Sequence, residues 1–217
     1  MGYAASWSGG KDGCLACYKA ILRGYEVSHL LNFVLNEPCR PGVHEVSSEL
    51  TRLQSQAIGI PLLQVKTTWV RYEDSFKKMV ARLIPLGLRG VVFGDIYLTE
   101  HKAWAERVCS GMGLEAVEPL WGEVPERVLL EFMRLGFEAI IIGAKSNLFG
   151  KEWVGRRVDD EFYRYLKDEG IDFCGENGEY HTAVIDGPLF RKGVRVTGGR
   201  TVLRNGLWIL ENVRCTL

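Results

Sequence analysis

Ser8-Gly9-Gly10-Lys11-Asp12-Gly13 lies where an apolar opening run, Tyr3 to Trp7, passes into a helix-like run, Cys14 to Arg23. A strand, a tight glycine turn and a helix start together make an anion site. The unpaired N–H groups of a first helical turn and the positive end of its dipole point past the strand end. Gly9 and Gly10 can take positive φ and let the backbone close on a ligand, and Lys11 adds a point charge. A Walker A loop needs G-x-x-x-x-G-K-[ST]. Ala5 and Asp12 occupy its two diagnostic positions, so that motif is excluded.

Downstream of this turn, strand-like apolar runs alternate with amphipathic ones. The strand-like runs are Tyr3–Trp7, His29–Leu35, Leu62–Lys66, Gly90–Phe93 and Leu114–Val117. Helices are expected between them, from about Val46, Tyr72 and Glu100. Repeated βα units with near-continuous apolar strands predict an α/β fold with a doubly wound parallel sheet, for which the order 3-2-1-4-5 is expected. Ligands of such sheets bind beyond the carboxyl ends of the strands, where the order reverses, and strand one ends there at Ser8.

After Trp121 the rhythm changes. A helix from about Pro125 to Leu135, a strand Ala139–Ile142, a mixed stretch and a β-rich tail predict a smaller α+β domain over residues 122–217, following a nucleotide domain over residues 1–121. In the tail, Val194–Val196, Thr201–Leu203 and Leu207–Leu210 alternate, and Asn205-Gly206 signals a type I′ hairpin.

The chain has 217 residues, 47% of them apolar, and Lys plus Arg balances Asp plus Glu at 27 each. There is no net field to favour nucleic acid or a membrane surface, and no basic leader or membrane-length apolar stretch, so a cytoplasmic protein is expected. Six scattered cysteines fit a reducing compartment, and the Cys14-x-x-Cys17 pair on one helix face reads as core packing.

Two further constellations carry chemistry. Phe93-Gly94-Asp95-Ile96 closes the fourth strand, so Gly94 and Asp95 are expected to face the glycine turn, where Asp95 either holds Mg²⁺ or the ribose or caps the helix near Thr99. His101 reads as a surface or satisfied histidine and not a catalyst. The densest run, Gly175-Glu176-Asn177-Gly178-Glu179-Tyr180-His181-Thr182, followed by Asp186-Gly187-Pro188-Leu189-Phe190, packs carboxylates, a phenol and an imidazole into what reads as a sharply turning loop. Such groups can share a metal ion, take protons from an amine, or be solvated. The tract from Gly187 to Asn205 carries Arg191, Lys192, Arg195, Arg200 and Arg204 without an acid and reads as a solvated hairpin.

The turn resembles the pyrophosphate-binding loop S-G-G-x-D-S of the ATP pyrophosphatases, with Gly13 in place of the last serine. Together with F-G-D-I, E-H-K-x-W, Pro119-Leu120-Trp121, G-E-N-G-E-Y-H-T and D-G-P-L-F, it resembles the diphthine–ammonia ligase family across nearly the whole chain. The resemblance implies a Rossmann-like, HUP-type nucleotide domain. It also implies ATP and Mg²⁺ as cofactors, and amidation of a carboxylate through an acyl-adenylate with release of AMP and pyrophosphate.

On that resemblance Ser8, Gly9, Gly10, Lys11, Asp12, Gly13, Gly94 and Asp95 bind the nucleotide, with Asp95 on the metal. Lys11, Asp12, Glu176, Glu179 and His181 are the catalytic candidates. Free ammonium is the expected nitrogen source, the acceptor carboxylate is expected on a translation elongation factor, and a homodimer is admitted. Lys11→Ala is expected to stop turnover while leaving the fold intact. Two alternatives stay open: sulfur transfer to tRNA through Cys39 or Cys174, and a nonenzymatic nucleotide-binding module.

Overall fold

The computed structural model describes residues 2–35 and 43–217. The first half runs β1 (Tyr3–Ser6), α1 (Lys11–Leu22), β2 (Val27–Leu35), α2 (Val43–Ile58), β3 (Leu62–Thr67), α3 (Tyr72–Ala81), β4 (Gly90–Val92), α4 (Thr99–Ser110) and β5 (Glu115–Val117). Its strands pair in parallel in the order β3-β2-β1-β4-β5. Successive side chains leave opposite faces of the sheet, and both faces are covered. Ala5, Leu30 and Val92 join one core with Leu15 of α1 and Leu50 of α2, while Ala4, Leu31 and Val91 join another with Phe76 of α3 and Val108 of α4. That double burial is why the strands read as continuous apolar runs.

The second half runs α5 (Pro125–Arg134), β6 (Glu138–Lys145), α6 (Asp160–Asp168), β7 (Tyr180–Asp186), β8 (Arg195–Arg204) and β9 (Leu207–Thr216). Its antiparallel sheet has the order β7-β6-β9-β8. The first core continues into this sheet through Ile141, Val184 and Ile209, so the two sheets share one apolar interior. The β8–β9 hairpin turns on Asn205 and Gly206, whose φ values of 48° and 78° are both positive, as a type I′ turn requires. Among the described residues, no helix is long and apolar enough to cross a membrane.

Four local expectations are corrected. Helix α1 starts at Lys11, not Cys14, so Lys11, Asp12 and Gly13 form its first turn. Gly10 is its N-cap with φ −82° and ψ 171°, and Gly9 alone of the two glycines takes positive φ, at 83°. An N-cap residue adopts extended backbone, which leaves the preceding residue to make the reversal. The mixed stretch contains α6, begun by Asp159, whose carboxylate accepts from the N–H groups of Glu161 at 3.1 Å and Phe162 at 3.0 Å. Strand β8 runs unbroken through Gly198-Gly199, which form register irregularities instead of separating two strands.

Candidate functional site

A cleft of about 820 Å³ opens at the carboxyl edge of the parallel sheet. The glycine turn and the glutamate-rich segment both line it, through Ser8, Gly10, Lys11 and Asp12 on one side and Glu176, His181 and Thr182 on the other. Asp95 and His101 close the third side.

Steric limits shape the turn. A Cβ on Gly9 would lie 2.7 Å from Gln54 Oε1 and 2.9 Å from Thr51 Cγ2, so only glycine fits beneath α2. Gln54 is fully buried and uses its whole amide. Its Oε1 accepts from Trp7 Nε1 at 2.9 Å, and its Nε2 donates to Gly9 O at 2.9 Å and Val184 O at 2.7 Å. Gly94 crosses the first turn of α1 closely, where a Cβ would fall 2.7 Å from Gly13 N and 2.9 Å from Asp12 C. Strand β7 binds the turn from the other side: Val184 N donates to Gly9 O at 2.9 Å, and Lys11 N donates to Thr182 Oγ1 at 3.1 Å.

Lys11 is only 3% exposed. Its Nζ donates to Asp12 Oδ2 at 2.9 Å and to Cys174 O, and it lies 4.8 Å from the centre of the Tyr180 ring. Burial by itself would lower the pKa of this ammonium, but Asp12 beside it holds it well above the usual value, so Lys11 stays charged. Burial pushes the Asp12 carboxyl up against the pull of Lys11, and Asp12 Oδ1 is buried with no hydrogen-bond partner. The expectation that Lys11→Ala leaves the fold intact is therefore at odds with the packing, because the substitution would strand Asp12 among buried groups.

Glu176 accepts from Ile96 N at 3.3 Å through Oε2. Burial, with Asp12 and Asp95 adding repulsion, raises its carboxyl to about 7, a value suited to exchanging protons near neutrality. Glu179 is not among the residues lining the cleft: its Oε2 is buried without a hydrogen-bond partner, and its backbone O accepts from Lys145 N at 2.9 Å. His181 is placed in the cleft by β7, where it pairs with Gly143 of β6. The segment read as one loop is thus a turn through Gly175–Glu179 followed by strand, because Tyr180 onward is held in register against β6.

Asp95 does not cap α4, whose N-cap is Leu98 without a side-chain cap bond. Its Oδ1 instead meets His101 Nδ1 at 3.1 Å, and this hydrogen bond raises the imidazole above its ordinary value. His101 is exposed, as the sequence reading allowed, and it also lines the cleft. Among the described residues, no group of three or more His, Cys, Asp or Glu side chains is arranged to hold a metal ion by itself.

Other lining residues escaped the sequence. Phe33, Tyr72 and Trp104 form an aromatic wall, with Phe33–Tyr72 centroids 5.1 Å apart and Tyr72–Trp104 centroids 5.5 Å apart. The W of E-H-K-x-W was the one available signal for it. Lys102 of the same motif lies 4.7 Å from the Trp121 ring and 3.0 Å from Glu118, which accounts for two quoted motifs as packing.

Cys14 and Cys17 are fully buried, and burial raises the Cys17 thiol to about 12. Cys174 lines the cleft but its thiol is also pushed up by burial and its Sγ approaches Pro125 O at 3.4 Å, the opposite of an activated sulfur. Cys39 lies outside the described residues. The basic tract is partly neutralised, since Arg200 and Arg204 both pair with Glu211 of β9.

The diphthamide synthase N-terminal domain matches residues 1–116, and the diphthamide synthase C-terminal domain matches residues 124–214. Curated relatives named diphthine–ammonia ligase include one from Rattus norvegicus, 28% identical, with the alignment covering 94% of this chain and 86% of the relative. One from Danio rerio is 26% identical over 91% of this chain and 87% of its own length. A longer relative of the same name from Schizosaccharomyces pombe is 26% identical over 90% of this chain but only 36% of its own length. A glycine turn and a glutamate-rich segment that face one cleft, with both family domains matched along one chain, place this chain in the diphthamide synthase family.

Proposed function

We propose that the chain is an ATP-dependent ligase that joins ammonia to a carboxylate and releases AMP and pyrophosphate, as in diphthamide synthesis. One observation carries this reading. Lys11 and Thr182, 171 residues apart in sequence, touch each other on a single cleft, so the phosphate-binding turn and the glutamate-rich segment serve one reaction centre. The family and the names of its relatives support the same chemistry.

In the first half-reaction a carboxylate oxygen attacks the α-phosphorus of ATP, and the bridging oxygen leaves with pyrophosphate. In the second, ammonia attacks the acyl carbon and AMP departs. Charge building on the leaving pyrophosphate falls to the first-turn N–H groups of α1, which are preorganised donors, and to the Lys11 ammonium. Lys11 must exchange part of its present bonding to Cys174 O and Asp12 for phosphate oxygens. Glu176, held near neutrality, takes the proton that ammonium must lose, with His181 as the neighbouring positioning group. The aromatic wall offers a face on which a purine can stack.

The domain division at residues 121 and 122 belongs to this proposal, with residues 1–121 gripping nucleotide and residues 122–217 bringing the acceptor side. Mg²⁺ fits the donor set: Asp12 and Asp95 present hard oxygens, and Asp12 Oδ1 lacks a hydrogen-bond partner. With few protein ligands, such an ion would be shared with phosphate oxygens, and when bound it would neutralise charge on the leaving group. An elongation factor bearing the acceptor carboxylate is part of the same proposal. The test is incubation with Mg²⁺·ATP, [¹⁵N]ammonium and a diphthine-bearing acceptor. AMP, pyrophosphate and ¹⁵N in the product are expected; ADP and phosphate would sink the reading.

A further inference from the structure

The turn that carries Glu176 is fastened at nearly every residue, and most fastenings lead to one carboxylate. Asp172 Oδ1 accepts from Cys174 N at 2.7 Å and from Gly175 N at 2.6 Å, and its Oδ2 accepts from Tyr97 OH at 2.8 Å. The Tyr97 oxygen in turn accepts from Asn177 Nδ2 at 3.3 Å. Around these, Phe173 O accepts from Tyr180 OH at 2.5 Å, and Cys174 O accepts from Lys11 Nζ. Gly175 completes the bend at φ 68°, where a Cβ would lie 2.9 Å from the Tyr180 ring.

Tyr97 belongs to the β4–α4 loop, immediately after Asp95 and Ile96, and Ile96 N donates to Glu176 Oε2 at 3.3 Å. Two neighbouring residues of the nucleotide-side loop therefore hold the acceptor-side turn at two points, one through backbone and one through a phenol. Charge-assisted hydrogen bonds of this length are the stronger kind, and a carboxylate accepting two backbone N–H groups defines a turn's path.

We propose that Asp172 and Tyr97 are positioning residues of the amidation reaction, a clasp that ties the β4–α4 loop to the Gly175–Glu179 turn and so fixes the Glu176 carboxylate over the cleft. The proposal rests on the ligase reading for its kinetic consequence, but the clasp can be read without turnover. Neither residue lines the cleft, so each acts through Glu176 and not on substrate.

The experiment compares wild type with Asp172→Ala, Tyr97→Phe and Asp172→Asn. In Asp172→Ala, amide hydrogen exchange should accelerate at residues 174–178 while the β1 and β6 amides keep their protection, and kcat for amide formation should fall about tenfold or more through misplacement of Glu176. The KM for ATP should stay within about twofold, the sign of an interaction that matters only at the reacting step. Tyr97→Phe should give a smaller loss of the same kind. Asp172→Asn keeps an oxygen for both backbone N–H groups and should restore most of kcat. Unchanged exchange in the turn, or a loss of kcat matched by an equal rise in KM for ATP and not relieved by Asp172→Asn, would overturn the clasp. A wild-type protein that forms no AMP would instead overturn the ligase reading, with the exchange measurement still deciding the clasp.

Discussion

At the turn after β1 the chain places backbone, and at the loop before β7 it places charge. The first is set by exclusion: Gly9 bends at φ 83° under Gln54, and Gly94 crosses Gly13 where a single methyl group would lie 2.7 Å from a backbone nitrogen. The second is set by burial, which raises Glu176 to about 7 and leaves Glu179 Oε2 without a hydrogen-bond partner. Backbone placed by close packing tolerates almost no substitution, whereas charge placed by burial responds to pH and to its neighbours. The two regions should therefore fail differently.

A backbone break is expected at Gly94→Ala. The added methyl group meets backbone atoms on Gly13 and Asp12, which cannot rotate away as a side-chain end can. Forcing α1 back should cost about 1–3 kcal/mol in stability and, by misaligning the phosphate donors, about a hundredfold in AMP release. Urea denaturation and a pyrophosphate-release assay measure the two. Near-normal activity would mean that the close crossing of the two loops is irrelevant to the leaving group.

Lys11 joins the regions, and its removal should combine both failures. Lys11→Met should lower AMP release by about a hundredfold or more and destabilise the fold by on the order of 3 kcal/mol, since it leaves Asp12 without its buried counter-charge. Adding Asp12→Asn should recover much of the stability and none of the activity. If the single variant is as stable as wild type, then Asp12 finds another partner and the packing account is wrong.

Glu176 provides the pH arm. Its carboxyl titrates near 4.5 when unfolded and near 7 when folded, so between these values the native state holds a proton that the unfolded state lacks. Stability from this group is fully present below about 4.5 and is lost as pH rises through 7. Glu176→Gln should therefore melt about 2–4 °C above wild type at pH 8, discounting the shift for partial solvent exposure. The gap should close by pH 4.5. At constant free ammonia, amide formation by wild type should rise with pH through about 7, and the variant should lack that limb.

The contrast also explains what was legible in the sequence. Strand order and helix coverage followed from the alternation of apolar runs, because burial of both sheet faces leaves an unbroken hydrophobic signature in strands such as Leu30-Leu31. The glycine turn was legible for a similar reason, its backbone demands being written as Gly9, although local pattern could not show that Gly10 remains extended. Glu176 and Glu179 look equivalent in the sequence, yet only Glu176 lines the cleft, since their separation depends on how β7 docks against β6. Gln54 left a faint trace as the polar residue inside the apolar stripe of Leu50, Leu53 and Ala57. Asp172 left none, because its partners come from a distant loop and from backbone.

Gly13 is where the two regions can be compared by adding a group. It is the third residue of α1, and a Cβ there would lie 3.4 Å from Ser6 O and 3.9 Å from Ser8 Oγ, ordinary contacts that a serine can meet without displacing backbone. Gly13→Ser replaces a poor helix former with a better one, which should raise stability by about 0.5 kcal/mol. Its hydroxyl, in the turn that faces the leaving group, should also gain one charge-assisted hydrogen bond, tightening inhibition by pyrophosphate about five- to tenfold. The two effects are separable. A higher melting temperature with unchanged pyrophosphate inhibition would show that the hydroxyl helps the helix and not the ligand, and that the outer phosphates lie away from the first turn of α1. Tighter inhibition would fix them there, on the backbone side of the cleft, with the charge-bearing turn left to act on the acceptor.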